Sequence, residues 1–283
     1  MSRVAYVNGR YVRHAEARVH IEDRGMQFSD SVYEVIAVVD GHLVDAEWHH
    51  RRLQRSLGEL AIPLPMSRTV LDSILREVAR RNRVRNGIVY LQIGRGVAPR
   101  GHAFPKNAAR SVVATARHAQ VAGPPEPGVA VITLADLRWR RRDIKSVSLL
   151  ANVLAKQAAA EAGAFEAWQV DDQGMVTEGA QSNAWIVDQD GKLVTRPASN
   201  DILSGITRAR LLQLARDAGI TVVERPFSVA EAQDAREAFL TSTSSFVVPV
   251  VRIDDRPVAN GRPGSITEGL RALYLRHARG GAE

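Results

Sequence analysis

The chain has 283 residues, 45% of them hydrophobic and 24% charged, and it contains no cysteine. This composition is typical of a soluble globular protein of one or two domains, and it excludes disulfides, thiolate metal sites and cysteine nucleophiles. The net charge is +7, but the basic residues are scattered without a nucleic-acid-binding signature, so we expect small anionic ligands and no nucleic acid.

The N-terminal half alternates strand and helix signals. Its predicted elements are, in chain order, hairpins at Asn8-Gly9 and Asp40-Gly41, a helix from near Trp48 to before Pro63, a helix capped by Ser67 or Thr69, and strands over 88–93 and 111–116. The apolar runs are too short to span a bilayer and the N-terminus does not read as a secretory signal. We therefore expect a cytoplasmic protein without membrane contact.

A segment rich in proline and glycine, residues 120–128, predicts a linker between two α+β domains, 1–119 and 129–283. The elements predicted after it are a strand over 129–134, a helix from Ser148 to Gly163, strands over 167–170 and 184–187, a helix over 207–218, a buried strand within 237–251 that hydroxyl residues interrupt, and a helix over 267–279. Ser146 or Ser148 is the predicted cap of the first of these helices.

Lysine is rare in this chain. Of the 38 basic residues only four are lysines, namely Lys106, Lys145, Lys156 and Lys192. Lys145 follows the run Arg140–Arg142 closely, and the ordinary explanation for such a residue is a solvated surface. A lysine can, however, lose its proton and attack a carbonyl, which arginine cannot do, and nearby cations would lower its pKa. Lys145 is therefore the candidate for a residue that forms a Schiff base.

Four other groups of residues could serve a ligand. They are Glu178 at a predicted strand end, the helix-opening turn 203–208, the hydroxyl run 241–245, and the loop pair Arg100 and His102. A carboxylate such as Glu178 can keep the pyridine nitrogen of pyridoxal phosphate (PLP) protonated. The helix start and the hydroxyls can bind an anion, and the loop pair can bind a carboxylate. Each group also has an ordinary explanation as a loop, cap or turn. The adjacent His49 and His50 point to different faces of a helix, so we predict no metal site.

Seven motifs, in order, carry a resemblance that runs almost from end to end: EDRGMQFSDSVYEV, HHRRL, APRGHAFP, RRDIKSVSLLANVLAKQ, VTEGAQSN, LSGITR and LTSTSS. The sequence resembles the class IV aminotransferases, which are PLP enzymes of fold type IV. The resemblance implies a two-domain α+β fold, a homodimer, and PLP bound between the domains. It also implies that Lys145 forms the internal aldimine, that Glu178 pairs with the pyridine nitrogen, and that the phosphate is held by Arg52, Ile206, Thr207, Ser242 and Thr243.

The resemblance further implies a substrate class. Family members that act on D-amino acids bind the substrate carboxylate with a tyrosine and an Arg-x-His pair from the partner subunit, which correspond here to Tyr33, Arg100 and His102. The expected reaction is ping-pong transamination between D-amino acids, such as D-alanine, D-glutamate or D-aspartate, and 2-oxoglutarate or pyruvate.

Two alternative functions compete with this expectation, and one sequence difference modifies it. A branched-chain L-amino-acid aminotransferase and an aminodeoxychorismate lyase share the fold but lack the Arg-x-His loop. A basic binding protein without PLP is the alternative from another class. The sequence also departs from D-specific relatives at Ala180-Gln181, where those relatives carry small hydroxyl residues; this change bears on side-chain preference and not on the class.

Overall fold

The computed structural model describes residues 3–121 and 128–280. These residues form two compact units, one containing 3–121 and 144–148 and the other containing 128–143 and 149–280. Most of the predicted linker, residues 122–127, lies outside the described residues. The segment 144–148, which the sequence analysis assigned to the C-terminal domain with its lysine, is part of the first unit.

The first unit is a six-stranded antiparallel sheet with helices. Its strands are β1 (Val4–Val7), β2 (Arg10–Arg13), β3 (Ser31–Val39), β4 (His42–Leu43), β5 (Gly87–Gly94) and β6 (Ser111–His118), in the order β2-β1-β6-β5-β3-β4. Its helices are a 3-10 helix (His14–Glu16), α1 (Arg24–Phe28), α2 (Ala46–Glu59) and α3 (Arg68–Arg81). The predicted strands over 88–93 and 111–116 are confirmed as β5 and β6.

The two longer helices of this unit bury one apolar face each. Leu53 and Leu57 of α2 and Leu71 and Leu75 of α3 are at most 2% exposed. They share a core cluster with side chains of the sheet such as Val89. Complete burial of a side chain of this size contributes about 1.5–3 kcal/mol, so the periodic leucines are sufficient reason for both helices to form against the sheet.

Local signals in this unit predict its turns correctly. Asn8 and Gly9 have φ values of 46° and 92°, and Asp40 and Gly41 have 50° and 88°. Positive φ at both central residues gives the backbone twist that a two-residue hairpin needs, and Asn, Asp and Gly tolerate it best. Ser67 accepts a hydrogen bond from a backbone N–H in the first turn of α3, which confirms it as the cap.

The second unit is a nine-stranded mixed sheet with helices. Its strands are β7 (Val129–Ala135), β8 (Glu166–Val170), β9 (Val176–Gly179), β10 (Asn183–Val187), β11 (Leu193–Thr195), β12 (Val222–Glu224), β13 (Glu237–Ser242), β14 (Phe246–Ile253) and β15 (Arg256–Pro257). The order is β12-β11-β10-β13-β14-β7-β8-β9, and β15 pairs with β14. Its helices are α4 (Leu150–Glu161), α5 (Ile206–Asp217), α6 (Val229–Gln233) and α7 (Ser265–Ala278).

Two predictions for this unit are wrong in detail. The hydroxyl-rich run does not interrupt one strand; it turns the chain between the antiparallel strands β13 and β14, where Ser242 pairs with Phe246. Helix α4 begins after Leu149 without a side-chain cap; of the two predicted caps, Ser146 instead forms a β-bridge with Val32 and Ser148 donates its N–H to Ser146 Oγ. Gly163 and Gly219 do end α4 and α5, with φ values of 66° and 73°. Among the described helices, none has the length and apolar character that crossing a bilayer requires.

Candidate active site

The backbone of Lys145 is fixed on both sides within the first unit. Its carbonyl accepts a hydrogen bond from Tyr33 N at 3.0 Å, and its N–H donates to Ser56 Oγ of α2 at 3.2 Å. The flanking Ser146 forms a β-bridge with Val32. Segment 144–148 is therefore bound to the beginning of β3 by an isolated bridge and backbone hydrogen bonds, and this pairing explains why the lysine belongs to the N-terminal unit.

The ring of Tyr33 lies beside the side chain of Lys145, which is half-buried. Its Nζ lies 4.3 Å from the ring centroid of Tyr33, and Tyr33 stacks on Tyr90 at 5.7 Å between centroids. Burial, together with the neighbouring Tyr33, raises the pKa of Tyr90 to about 12, so Tyr90 is a neutral phenol that donates to Gln92 Oε1 at 2.7 Å. The structure thus brings together Lys145 and Tyr33, two of the predicted site residues.

Arg52 is held by a buried carboxylate. Its Nε and Nη2 donate to the two oxygens of Glu34 at 2.8 and 2.7 Å, and Nδ1 of the buried His49 lies 2.7 Å from the same carboxylate. Burial would raise the pKa of Glu34, but Arg52 and His49 outweigh it and lower the pKa to about 2. Glu34 is therefore ionised and fixes the guanidinium plane of Arg52. Sequence reasoning missed Glu34, which is one residue from the predicted Tyr33.

Arg100 and His102 lie together on an exposed loop of the same unit. The guanidinium carbon of Arg100 is 4.7 Å from the ring centroid of Phe28, and the His102 ring is 5.4 Å from the same ring. Nη1 of Arg100 also donates to Gln27 Oε1 at 3.4 Å. The two residues thus form a cluster around Phe28, separate from the cluster of Tyr33 and Lys145.

Glu178 is a buried carboxylate of the second unit with three donors. Arg138 Nη1 and Leu203 N both donate to Oε1, the latter at 3.0 Å, and Asn183 Nδ2 donates to Oε2 at 2.8 Å. Burial raises the pKa of Glu178, with Asp136 acting in the same direction, while Arg138 and the Leu203 amide oppose the rise. An acid in this environment is poised to share a proton with a basic ring nitrogen.

Arg138 is the main functional candidate that sequence reasoning missed. Burial lowers its pKa, but Glu178 and Asp136 more than offset this effect and raise the pKa, so Arg138 stays charged. Its Nη2 donates to Asp136 Oδ2 at 2.7 Å. The nearby Arg142 has its Nε 3.3 Å from the same oxygen. Carboxylates thus balance the charge of Arg138 and Arg142. The sequence places several arginines within residues 138–142 and does not indicate which of them contacts Glu178.

The predicted phosphate residues of the second unit cluster beside Glu178. Asn183 Nδ2, which binds Glu178, also donates to Leu203 O at 3.0 Å, three residues before the start of α5. Gly205 precedes α5 and has no side chain with which to cap it, and Ile206 and Thr207 are buried in its first turn. A helix start of this kind presents backbone N–H groups and a partial positive charge to an anion.

The hydroxyl-rich turn between β13 and β14 lies near Asn183. Asn183 of β10 faces Thr241 of β13 across the sheet, so Ser242 and Thr243 follow directly after this pair. Ser242 Oγ is 3.4 Å from Ser244 Oγ. Glu178, Asn183, the start of α5 and the turn 242–245 therefore lie close together, where β10 begins and β13 ends.

The unusual Ala180-Gln181 pair has a structural explanation. Ala180 is buried in a small cluster with Ala155, Ala159 and Ala167. The N–H of Gln181 and Oγ of Ser182 donate to Glu166 at 3.3 and 3.1 Å. Alanine here fills a core position, and the nearest hydroxyl is bound to a buried carboxylate.

The candidate residues described above have the chemical groups that PLP binding requires. An amine can condense with the aldehyde, a buried acid can meet the ring nitrogen, and an arginine, a helix N-terminus and hydroxyls can bind a phosphate dianion. Within residues 3–121 and 128–280, no cluster of three or more histidine, aspartate or glutamate side chains is arranged to hold a metal ion.

Comparison with known proteins identifies the family. Residues 31–253 match the family described as amino-transferase class IV. The chain is 42% identical to the D-alanine aminotransferase of Bacillus licheniformis over 265 residues, 93% of each chain. It superposes on the branched-chain amino acid aminotransferase of Escherichia coli with a TM-score of 0.91 and 26% identity, covering 100% of this chain and 97% of that one. It superposes almost as completely on a T.th. branched-chain amino acid aminotransferase complexed with N-(5'-phosphopyridoxyl)-L-glutamate, covering 100% and 96% of the two chains at a TM-score of 0.89 and 26% identity. The chain belongs to the class IV amino-transferase family.

Proposed function

We propose that this protein is a PLP-dependent aminotransferase that transfers the amino group of a D-amino acid, D-alanine above all, to a 2-oxo acid. The observation that carries the proposal is the 42% identity to a D-alanine aminotransferase across 93% of both chains. The branched-chain enzymes share the fold but are only 26% identical, so they fit the alternative of an L-selective enzyme less well. The family match also disfavours a PLP-free binding protein.

Each candidate residue has an assigned part in the proposal. When bound, PLP supplies an aldehyde that captures the amino group and a ring that accepts electrons from Cα. Lys145 would hold the aldehyde carbon, Glu178 the ring nitrogen, and Arg52, Ile206, Thr207, Ser242 and Thr243 the phosphate. The fixed hydrogen bonds of Glu178 support its part, because an acid that cannot rotate keeps its charge aimed at one place.

Lys145 has a second role in the proposal. Its Nζ takes the proton from Cα of the D-amino acid and later returns a proton, acting as general base and then as general acid. The ring of Tyr33 packs beside this base, with 4.3 Å between Nζ and the ring centroid. The amino nitrogen passes to the cofactor as this proton moves, and water then adds at Cα and supplies the carbonyl oxygen of the 2-oxo acid that is released.

The choice of enantiomer follows from where the carboxylate binds. Arg100 and His102 would bind the substrate carboxylate, with the phenol of Tyr33 completing the site. If the base stands on one side of Cα, fixing the carboxylate decides which enantiomer presents its proton to that base. The exposed position of both residues in one chain suits a loop that completes its site against a second subunit.

The proposal includes a homodimer. Leu150, Val153 and Leu154 lie on one face of α4 and are 73%, 59% and 60% exposed. A contiguous apolar face of this kind is typical of a surface that another chain covers. Sedimentation analysis tests it: the protein should sediment as a dimer, and Leu154→Glu should shift it toward monomer.

A cytoplasmic location is part of the proposal and can be tested by cell fractionation.

One experiment tests the substrate assignment. The PLP-loaded protein is mixed with D-alanine, L-alanine or L-leucine without an acceptor. The absorbance of the aldimine between PLP and the enzyme is followed through a single turnover. We expect D-alanine to bleach the absorbance quickly and both L-amino acids to act slowly or not at all. A response to L-leucine alone would assign the branched-chain function instead.

A further inference from the structure

The loop that carries Arg100 and His102 needs support from elsewhere in the fold. It connects β5 to β6 and is irregular over residues 98–110. An irregular loop adopts one conformation only if side chains from other elements bind its backbone. Arg24, the first residue of α1, is 3% exposed and reaches this loop.

Arg24 binds the backbone at the functional residues themselves. Its Nη1 donates to Gly101 O at 2.5 Å and its Nη2 to His102 O at 3.3 Å. The third guanidinium nitrogen, Nε, donates to Asp30 Oδ2 at 2.8 Å. One guanidinium therefore connects three acceptors. Lysine, with a single nitrogen on a flexible chain, cannot reproduce this geometry.

A partly buried carboxylate, that of Asp30, keeps the charge of Arg24 in place. Asp30 accepts from Arg24 and also from Arg95, whose Nε and Nη2 lie 2.7 and 3.0 Å from its two oxygens. Burial would raise the pKa of Asp30, but the hydrogen bonds and charges of Arg95 and Arg24 outweigh it and lower the pKa. The pairing therefore persists across the neutral range in which aminotransferases work.

The ring of Phe28 links Arg24 to the side chains of the loop. The guanidinium carbons of Arg24 and Arg100 lie 4.8 and 4.7 Å from the ring centroid. The His102 ring stands 5.4 Å away. Both main chain and side chains of the loop are thus tied to α1.

We propose that Arg24 is a positioning residue, which holds Arg100 and His102 in the conformation that binds the substrate carboxylate. The inference rests on the proposed function, since it assumes that Arg100 and His102 bind this carboxylate. Arg24 acts through the loop and does not itself touch substrate. Its loss should weaken substrate binding without impairing cofactor binding or proton transfer.

The test is Arg24→Lys in the PLP-loaded enzyme. We expect KM for D-alanine and for the 2-oxo acid to rise about tenfold, with kcat within about threefold of the parent. The half-reaction with isopropylamine, an amine without a carboxylate, should be unchanged. The control is Arg95→Lys, which breaks the same kind of pair with Asp30 and leaves the bonds to Gly101 and His102. Arg95 also lies 3.6 Å from the ring centroid of Phe104 in this loop, where lysine still supplies a cation, so KM should stay within about twofold.

Double substitution separates positioning from a merely structural role. If Arg24 acts through Arg100, the pair Arg24→Lys with Arg100→Lys should have a KM within about twofold of Arg100→Lys alone. Independent, multiplying effects would overturn the proposal, as would an equal loss of rate with D-alanine and isopropylamine. Should Arg24→Lys not fold, the same measurements on Phe28→Leu decide the question with the same criteria.

The outcome also distinguishes the inference from the function on which it rests. A raised KM in Arg100→Lys with a normal KM in Arg24→Lys would overturn the positioning role and leave the carboxylate site intact. A normal KM in both variants would show that the carboxylate binds elsewhere, and the proposed site would fail with the inference.

Discussion

Gly205→Ala should damage the site without touching a reactive group. Gly205 has φ −64° and ψ 136°, which alanine adopts freely, so the backbone is not strained by the change. An added Cβ would, however, lie 2.0 Å from Asn183 Oδ1. Asn183 must therefore move, and with Leu203 N it is one of two groups that connect Glu178 to the turn before α5.

The cost follows from the bonds that Asn183 makes. Moving its amide breaks the 2.8 Å bond to the ionisable Glu178 and the 3.0 Å bond to Leu203 O. A neutral hydrogen bond contributes about 1 kcal/mol and one to a charged group about 1.5–3 kcal/mol. We therefore expect Gly205→Ala to lower the free energy of unfolding by about 3 kcal/mol and to weaken retention of PLP.

The assay is urea denaturation together with measurement of PLP retained after dialysis. Gly269→Ala is the matched control, because Gly269 lies in α7 and its added Cβ would meet no atom within 4 Å. Alanine at such a helical position should leave the free energy of unfolding unchanged or raise it by about 1 kcal/mol. If Gly205→Ala matches the parent in both measurements, the link through Asn183 between Glu178 and the turn before α5 contributes nothing to stability and the reasoning is refuted.

Three further predictions concern single side chains. Lys145→Ala should abolish transamination while the far-UV circular dichroism stays unchanged, and retained turnover would assign the base elsewhere. Glu178→Gln should bind PLP but lower kcat by about a hundredfold, as removing a fixed electrostatic partner does; an unchanged kcat would contradict the pairing. Glu34 has a pKa lowered to about 2, so its stabilisation is complete above its unfolded pKa near 4.5 and is lost as pH falls toward 2. Stability should therefore fall by about 3 kcal/mol over that range, and Glu34→Gln should flatten this part of the pH profile; an equally steep profile would disprove the assignment.

Local chemistry predicted much of the fold. Hairpins with Asn-Gly and Asp-Gly turns, helices with periodic leucines and helix-ending glycines all appear where the sequence indicates. These signals depend on neighbours within a few residues, which a single sequence contains. Lys145 could be singled out because arginine supplies nearly every other positive charge.

Contacts between distant residues could not be predicted in this way. The pairing of Ser146 with Val32 places the lysine in the N-terminal unit, and nothing near Lys145 in the sequence indicates a partner so far back in the chain. The same holds for Arg24, which is 77 residues from Gly101, and for Arg138, 40 residues before Glu178. With 34 arginines among the 38 basic residues, composition gives no means of selecting Arg24 and Arg138. Their burial and their acidic partners, which only the structure shows, single them out.

The most direct test of the account is covalent trapping of the cofactor. The PLP-loaded protein is reduced with borohydride, digested with trypsin and analysed by mass spectrometry. The four lysines of the chain lie in separate sequence contexts, so the modified residue is identified without ambiguity. We predict phosphopyridoxyl on Lys145 within the peptide 143–156, because trypsin does not cleave after a modified lysine. Modification of Lys106, Lys156 or Lys192 instead, or of no lysine, would contradict the account.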